Sequence, residues 1–556
     1  MDNAQIAEHF SLLSKLIDIH GDDGFRSRSY GAAAFTIEKL PQHLASTPRE
    51  KIAGIKGIGS SVAGKIGELL DTGKLTILHD YLVSTPPGVV EMLNIKGIGP
   101  KKIHIIWKEM GLESIGELLY ACEENRLTRY KGFGEKTQQN VTESIRFYLQ
   151  NQGHFLYAEL EVLFPQIDQY LKKQFGEEKV SVTGRYRRQE LTIEELEFVI
   201  LETNETIKKA FRTAQPPELL EEKEDRLLYQ LKNNLKLRFY TGEGLMAKRL
   251  FETTGSETFL EAFHHSYPEV LKGLTTGDEH EIFQKAGLPF IPPFLREDAA
   301  IIRKSATGLP RVIQTEDIRA LIHCHSNWSD GSNTLEDMAA ECIRRGWEYM
   351  VLSDHSQSAA YANGLKPDRI LEQHRQVDTL NQSLAPFRIY KSIESDILGD
   401  GSLDYPEEIL RRFDLVIASV HSNLGMQEDK ANARLIKAIE NPYTRILGHM
   451  TGRLLLSRNG YPLDHKKIID ACAANQVVIE LNAHPRRLDI DWKWIPYALD
   501  KNVLLSINPD AHALDGYEDV KYGVLAAQKG GLTASRNLSS FTLSEFEKFL
   551  HSKRIS

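Results

Sequence analysis

The spacing of hydrophobic and polar positions changes along the chain. Apolar side chains recur at amphipathic helical intervals over the first 25 residues, and short helical runs broken by glycine continue to about residue 150. Residues 151–300 mix helical runs with strand-like segments, such as 197–202 and 235–240. From residue 318 onward, short apolar strands alternate with helical stretches. The pattern therefore predicts a helical first part and a mixed α/β remainder.

The last third of the chain has the rhythm of repeated βα units. Its predicted strands are 349–352, 388–393, 415–420, 445–447, 477–481 and 503–507. This many strands with intervening helices favours a barrel over an open sheet. Glycine and proline predict a rigid turn at 287–293 and a linker at 305–310. The expected fold is multidomain, α and α/β, because 556 residues exceed what one hydrophobic core usually organises.

Composition excludes several classes of protein. The chain is 41% hydrophobic and 26% charged, and it has no apolar run long enough to span a membrane. Early acidic residues argue against a signal peptide. The four cysteines form no CxxC pair, so neither a disulfide framework nor a thiolate zinc site is expected. These features predict a protein of the reducing cytoplasm that does not associate with membranes.

Charge alone does not predict nucleic-acid binding. The net charge is −9, and residues 1–150 are neutral, with 18 Lys and Arg against 18 Asp and Glu. A global field will therefore not attract DNA. Any binding must come from local arrangements of backbone and side chains.

A repeated glycine phrase in residues 1–150 supplies such an arrangement. An apolar residue lies between two glycines in each copy, and the glycines are Gly57 and Gly59, Gly97 and Gly99, and Gly132 and Gly134. The first glycine allows a tight turn, and the amides that open the next helix can bind a phosphate oxygen. Each copy could instead be a plain helix connection, but three copies favour helix-hairpin-helix DNA binding. The lysines that follow could contact phosphates or remain solvated: Lys65, Lys101, Lys102 and Lys136.

Metal-ligand residue types follow the strands of the last third. They are His323, His325, Asp330, His355, Glu394, His421, His449, Asp510 and His512. Nearly all stand at or just beyond a strand's carboxyl end, where barrel active sites are built. A lone histidine there is more often scaffold, but nine such residues suit a cluster of up to three ions. Imidazoles with carboxylates favour zinc, manganese or iron over calcium.

These motifs, with the segments 25–30, 287–293 and 296–298, resemble bacterial family X DNA polymerases that carry a C-terminal PHP (polymerase and histidinol phosphatase) domain. The resemblance spans essentially the whole chain. It implies a helix-hairpin-helix DNA-binding domain at 1–85 and a fingers-like domain with further hairpins at 86–150. It also implies a nucleotidyltransferase-like palm at 151–240, a thumb at 241–304, a linker at 305–316 and a distorted (β/α)7 PHP barrel at 317–556.

The palm departs from the family pattern at the positions that matter for polymerisation. The family's Gly-Ser-x-x-Arg turn matches a segment with Arg185 in place of serine and Arg188 at its end. Its Asp-x-Asp pair reads Glu195 and Glu197, and its third aspartate falls on Lys236. Two-metal phosphoryl transfer needs three carboxylates in tight geometry around Mg²⁺. We therefore expect no intact Mg²⁺ site in the palm, and polymerase activity that is lost or severely weakened.

The resemblance also implies roles for the barrel residues. His323, His325, Glu394 and Asp510 would hold one metal; Asp330, His355 and His512 a second; and Glu394, His421 and His449 a third. Leu321 replaces an aspartate that is frequent in the first motif, but that position is outside the ligand set. Arg453, Arg486 and Arg487 could clamp a phosphate, with Arg453 preferred. Lys65 matches the lysine of an abasic-site lyase, although a surface role is favoured.

The leading hypothesis is a DNA-repair phosphodiesterase with two or three metals (manganese, zinc or iron), a 3′→5′ exonuclease on gapped, single-stranded or abasic DNA. It would be cytoplasmic and nucleoid-associated, with protein partners left open. Two alternatives remain. One is an active gap-filling polymerase with PHP proofreading, and the other is a PHP phosphomonoesterase that acts on a small molecule.

Overall fold

The computed structural model describes residues 1–123, 126–212, 216–274 and 278–552. These residues form two units, Met1–Gln152 and Gly153–Ser556. The first unit is helical. Its α-helices are α1 (Asn3–His20), α2 (Gly24–Glu38), α3 (Arg49–Ile52), α4 (Ser60–Thr72), α5 (Thr76–Ser84), α6 (Pro87–Glu91), α7 (Pro100–His104), α8 (Ile115–Glu123) and α9 (Glu135–Asn151). A short π-helical stretch, Ile105–Glu109, continues α7.

Apolar spacing explains the core of this unit. Helix α1 starts at a capping box in which Asp2 and Gln5 exchange hydrogen bonds. Its buried face includes Phe10 and Leu13, which pack into the same core as residues of α2 such as Tyr30. The helices thus bury one apolar stripe each, as the sequence pattern predicts.

The second unit begins with a five-stranded mixed sheet. The first elements of the unit are β1 (Phe155–Leu156), α10 (Tyr157–Phe175), β2 (Val180–Thr183), α11 (Gly184–Arg187), β3 (Thr192–Ile193), β4 (Glu195–Ile200), α12 (Asn204–Ala210), β5 (Glu218–Lys223), β6 (Arg226–Gln230) and β7 (Lys236–Thr241). β1 and β3 pair with each other in a separate two-stranded sheet. The strand order is β2-β4-β7-β6-β5, and β4 and β7 are parallel. Four helices follow: α13 (Met246–Thr254), α14 (Glu257–Ser266), α15 (His280–Lys285) and α16 (Ala300–Ala306). The predicted linker therefore starts inside α16, where Ser305 is fully buried.

A seven-stranded parallel sheet completes this unit. Its strands β8 to β14 and the helices around them are β8 (Ala320–Cys324), α17 (Leu335–Arg344), β9 (Tyr349–Leu352), α18 (Pro367–Ser383), β10 (Arg388–Asp396), α19 (Glu407–Leu410), β11 (Leu415–Ser419), α20 (Glu428–Ile439), β12 (Thr444–Leu447), α21 (His465–Asn475), β13 (Val478–Asn482), α22 (Ile495–Asp500), β14 (Leu505–Asn508), α23 (Val520–Lys529) and α24 (Leu543–His551). The strands follow chain order, and a bridge between Cys324 and Ala511 joins the two edges.

The predicted fold class is confirmed. The strands between β9 and β14 lie within three residues of their predicted positions, because each is a buried apolar run bounded by turns. The parallel sheet closes into the expected barrel. None of the described helices is both long enough and apolar enough to cross a bilayer.

Candidate active site and nucleic-acid interface

The metal-ligand candidates meet at the carboxyl ends of the barrel strands. Glu394, near the end of β10, is buried at the centre of this group. Its carboxylate lies within 3.2 Å of ring nitrogens of four histidines: 3.2 Å from His323, 2.9 Å from His355, 3.2 Å from His421 and 3.0 Å from His449. One buried carboxylate thus faces four imidazoles that come from four different strand ends.

The remaining candidates join this centre on one side. Asp510 Oδ1 lies 3.0 Å from His325 Nε2 and 3.5 Å from His323 Nε2. Asp330 Oδ1 lies 3.7 Å from His355 Nε2 and 3.5 Å from a ring nitrogen of His512. Every residue that the sequence analysis assigned to the cluster therefore lies in one connected group.

Three sets of donor atoms lie close enough to hold ions, with the atoms of each set within 4.8 Å of one another. The sets are His323, His325, Glu394 and Asp510; His325, Asp330, His355 and His512; and His355, Glu394 and His421. The first equals the set implied by the resemblance, and the second adds His325. The third contains His355 where the resemblance has His449, although His449 Nε2 still contacts Glu394.

Unpartnered buried atoms show that these residues fit metal ions. His323 Nε2, His355 Nδ1 and Glu394 Oε2 are buried and, although they lie close to one another or to neighbouring charges, none makes a well-aligned hydrogen bond within the described residues. A buried polar atom without a partner is costly, and a metal ion in contact with several such atoms removes that cost. The chemistry of the donors, imidazole with carboxylate, suits transition metals.

Charge interactions in the centre are strong. Burial would raise the pKa of Glu394, but His421, His323 and His355 outweigh it and hold that pKa well below its usual range. Burial would lower the pKa of His421, but Glu394 and Asp396 outweigh it and raise the pKa to about 10. Because metal binding requires neutral imidazoles, ions that enter this centre must displace protons.

The backbone is unusual at two of the candidate ligands. His323 has φ +62° and Asp510 has φ +54°, values that non-glycine residues rarely adopt. The pairing register of β8 with β9 also shifts between Ile322 and Cys324. His323 and His325, two residues apart, therefore do not reach the centre by the simple alternation of an extended strand. Local strain of this kind is concentrated at functional sites.

A second layer of carboxylates, missed in the sequence analysis, orients the histidines. Glu480, on β13, is fully buried and lies 2.5 Å from His323 Nδ1. Asp396, at the end of β10, makes a short hydrogen bond with His421 Nδ1. Such contacts fix which ring nitrogen faces the metal. In the sequence, Glu480 could have been recognised as the one acidic residue within the apolar strand segment 477–481.

Asp354 fixes the loop that carries Asp330. Its fully buried carboxylate accepts hydrogen bonds from the backbone N–H of Ser326 at 2.8 Å and from Gln373 Nε2 at 2.7 Å. It also accepts from the hydroxyl groups of Ser326 and Ser329. The loop between β8 and α17 is therefore held in one arrangement, with Asp330 directed toward His355.

The candidate phosphate clamps differ in their contacts. Arg453, the preferred residue, donates to Asp491 Oδ2 at 2.7 Å and to the carbonyls of Arg487 and Leu488. These contacts hold a loop and do not support the clamp role. Arg487 Nε lies 3.7 Å from Asp510 Oδ2, at the edge of the metal centre. Arg486 is exposed and lies 3.8 Å from Glu159, so Arg487 is the better placed of the three.

The palm has no comparable carboxylate cluster within the described residues. Glu195 pairs with Arg238, on the neighbouring strand β7, at 2.8 Å. Lys236 instead reaches Glu194 at 2.8 Å. The cation that opposes Glu195 is therefore Arg238, which the sequence analysis did not identify. In the part of the chain that the structure describes, no metal-binding group includes a palm glutamate.

Glu197 occupies the turn where the family pattern has its phosphate site. Its carboxylate accepts the N–H of Arg185 and the hydroxyl of Tyr240, both at 2.9 Å. A Cβ at Gly184 would lie 1.9 Å from Glu197 Oε1, so only glycine fits under this carboxylate. Burial raises the pKa of Glu197, and the nearby charge of Glu195 adds to this. Arg188 is held by Glu297 at 3.1 Å, whereas Arg185 is exposed.

The three glycine phrases adopt one conformation. Gly57, Gly97 and Gly132 have φ values of +92°, +91° and +93°. The second glycine of each phrase is the N-cap of the next helix and makes no side-chain capping bond, so the first helical amides have no side-chain partner there. The apolar residues between the glycines are buried: Ile58, Ile98 and Phe133. Lys65 lies on α4, where its charge interacts with Glu68.

Comparison with known proteins agrees with this geometry. Residues 1–75 match the family model described as "Helix-hairpin-helix domain", and residues 89–146 match "SAM-like Helix-hairpin-helix tandem". The chain is 29% identical to the "DNA polymerase/3′-5′ exonuclease PolX" of Bacillus subtilis (strain 168), with 99% of each chain covered. The similarity to this relative therefore extends over essentially the whole chain.

Other relatives match only the barrel region. A probable phosphatase of Syntrophotalea carbinolica is 30% identical over 165 residues, which cover 29% of this chain and 64% of that protein. A probable phosphatase of Acetivibrio thermocellus is 31% identical over 27% of this chain and 59% of its own length. The chain therefore combines a phosphatase-like barrel with DNA-binding hairpins.

Proposed function

We propose that the chain is a DNA-binding, metal-dependent phosphodiesterase, a 3′→5′ exonuclease of DNA repair in the cytoplasm and nucleoid. The observation that carries the proposal is Glu394, buried among the ring nitrogens of His323, His355, His421 and His449. The Bacillus subtilis relative, which aligns with 99% of this chain, carries 3′-5′ exonuclease in its name. Gapped, single-stranded and abasic DNA are the proposed substrates.

The chain's own residues define the chemistry. Two or three divalent metals, with manganese, zinc and iron favoured, would activate a water and neutralise the developing phosphate charge. Glu480 and Asp396 hold the rings of His323 and His421 so that their other nitrogens face the centre. Arg487, beside Asp510, supplies the positive charge that orients a non-bridging phosphate oxygen.

The hairpins account for binding without net positive charge. Each turn directs backbone N–H groups at one position, and helix dipoles add to the attraction for a phosphate. Such contacts do not depend on sequence, which suits an enzyme that removes nucleotides one after another. Residues 1–150 are electrically balanced, so long-range attraction contributes little.

Templated polymerisation is not part of the proposal. Glu195 is neutralised by Arg238, and Glu197 occupies the amide that a nucleotide phosphate would need. A primer-extension assay with Mg²⁺ or Mn²⁺ tests this point on the full chain. Templated incorporation well above background would reinstate the polymerase hypothesis.

The phosphatase-like relatives favour a second candidate, hydrolysis of a small phosphomonoester by the same centre. The two functions share the metal centre and differ in whether the hairpins matter. A DNA exonuclease should prefer an oligonucleotide strongly over a chromogenic monoester, whereas a monoesterase should show the opposite preference.

One experiment separates the candidates. The full chain is incubated with Mn²⁺, dNTPs and either single-stranded or gapped DNA, labelled at the 5′ or the 3′ end, and in parallel with a chromogenic phosphomonoester. We expect the 5′-labelled strand to shorten as a ladder, with no ladder from His323→Ala or His355→Ala. The exposed His265→Ala is the matched control and should retain activity. Activity on the monoester alone would exclude the exonuclease.

A further inference from the structure

A cavity lies at the opposite end of the barrel from the metal centre. Its volume is about 780 Å³, within the range of small-molecule sites. It is lined by the amino-terminal ends of three adjacent strands, at Arg388 of β10, Leu415 of β11 and Arg445 of β12. The carboxyl ends of these strands lead to Glu394, His421 and His449. The cavity is therefore separate from the site described above.

Arginine is the prominent residue type of this cavity. Arg388, Arg411, Arg412 and Arg445 all line it. Arg388 pairs with Glu547 at 3.1 Å. Arg411 and Arg412 are exposed, and no carboxylate acts on Arg445. Glu407, another lining residue, accepts a hydrogen bond from the hydroxyl of Tyr443 at 2.9 Å. Asp414 also lines the cavity, so four arginines face three carboxylates there, an excess of one positive charge.

Arg445 is the most informative of these residues. It is 6% exposed, its Nη2 donates to the carbonyl of Phe549 at 2.7 Å, and its guanidinium lies 4.4 Å from the centre of the Phe549 ring. Its Nε and Nη1 atoms are buried and have no hydrogen-bond partner within the described residues. Burial alone lowers the pKa of Arg445 to about 10, with no carboxylate acting against it. A buried guanidinium without a counter-ion is costly, and an anion in the cavity would reduce that cost.

We infer that this cavity binds a small phosphorylated molecule, with Arg411 and Arg412 at the exposed edge and Arg445 at the base. A phosphate group matches guanidinium geometry and carries enough charge to balance more than one arginine. The cavity has room for more than an inorganic phosphate, and Tyr443 offers an aromatic surface beside it. Inorganic phosphate and a nucleoside monophosphate share this chemistry, and the experiment distinguishes them.

The test is isothermal titration calorimetry on the full chain, in EDTA and at constant ionic strength, with inorganic phosphate, thymidine monophosphate and thymidine as the probes. EDTA keeps metals from binding phosphate at the other end of the barrel. We expect both phosphorylated probes to bind and thymidine not to bind. Tighter binding of the nucleotide than of inorganic phosphate would identify a nucleotide site, and equal binding would identify a phosphate site.

Substitutions assign the binding to the cavity. Arg411→Gln with Arg412→Gln should weaken binding at least tenfold, which corresponds to about 1.4 kcal/mol. Arg375→Gln, an exposed arginine on α18 outside the cavity, is the control for charge and should leave the affinity unchanged. Arg445→Met should abolish binding, and the exposed double variant decides the question if Arg445→Met does not fold. Equal affinity in the wild type and the double variant, or binding of thymidine alone, would overturn the inference.

Discussion

The role of Glu480 can be tested by Glu480→Gln, which keeps the shape of the side chain but removes one acceptor. Glu480 Oε2 faces His323 Nδ1 at 2.5 Å and Asn508 Nδ2 at 2.8 Å, whereas Oε1 faces the His449 N–H and Asn482 Nδ2, both at 3.0 Å. Either orientation of a glutamine amide would direct its NH₂ group at two donors. The substitution therefore disturbs the hydrogen bonds that orient His323, without removing any candidate ligand.

The expected magnitude follows from the hydrogen bonds that the substitution removes. Loss of a partner that orients a metal-ligating histidine typically weakens metal affinity 10–100-fold, or about 1.4–2.7 kcal/mol. The assay measures exonuclease rate against Mn²⁺ concentration, with the unfolding temperature measured in parallel. We expect the half-saturating Mn²⁺ concentration to rise by that factor and saturating Mn²⁺ to restore much of the rate. Glu372→Gln, on the exposed side of α18, is the matched control. A metal dependence identical to that of the wild type would refute the orienting role.

Three further predictions address the clamp, the hairpins and pH. Arg487→Ala should lower kcat/KM on DNA roughly 10–100-fold, as expected for loss of a charged hydrogen bond, whereas Arg453→Ala should mainly lower the unfolding temperature; similar kinetics for both would contradict this. Gly97→Ala should weaken DNA binding in fluorescence anisotropy, because alanine adopts a φ of +91° only with strain; a Cβ there meets no other atom within 4 Å, so a steric clash is not the cause. Gly111→Ala, at φ +69°, is the control outside the hairpins. Burial raises the pKa of Asp519 to about 7, so the folded state binds more protons than the unfolded state between about pH 4 and 7, and stability should fall as pH rises through this window. Asp519→Asn should therefore raise the unfolding temperature at pH 8 more than at pH 5, and an equal effect at both would contradict the assignment.

Periodicity was sufficient to predict the barrel, because its strands are buried on both faces and appear in the sequence as short apolar runs. The same runs predicted where candidate ligands such as Glu394 and His421 should lie, since parallel strands end at a common edge. The local geometry of His323 could not be predicted in this way. Its φ of +62° and the register shift in β8 depend on tertiary contacts, including the hydrogen bond with Glu480.

The sequence also does not predict which ion-pair or hydrogen-bond partner a charged side chain takes. Arg453 and Arg487 are both loop arginines in the sequence, and only their contacts separate a loop-holding residue from one beside Asp510. The palm gives a similar case. Lys236 was the informative substitution in the sequence, but the ion pair with Glu195 is formed by Arg238, two residues farther along β7. Which cation pairs with Glu195 is decided by the length and direction of the side chains on the two parallel strands, because Lys236 is its register partner but Arg238 forms the ion pair.

The contacts of Lys529 give a physical reason for the chain to retain a palm in which the described residues form no metal site. The side chain of Lys529, at the end of α23 in the barrel, is fully buried, and its Nζ lies 2.5 Å from Glu297 Oε1 and 2.8 Å from the carbonyl of Arg188. Arg188 belongs to the altered palm turn, and Glu297 lies between α15 and α16. Removing the palm would leave a buried ammonium group with fewer partners, which is costly. Residues 153–556 accordingly form one unit, and the palm supports the barrel's structure even without polymerase chemistry.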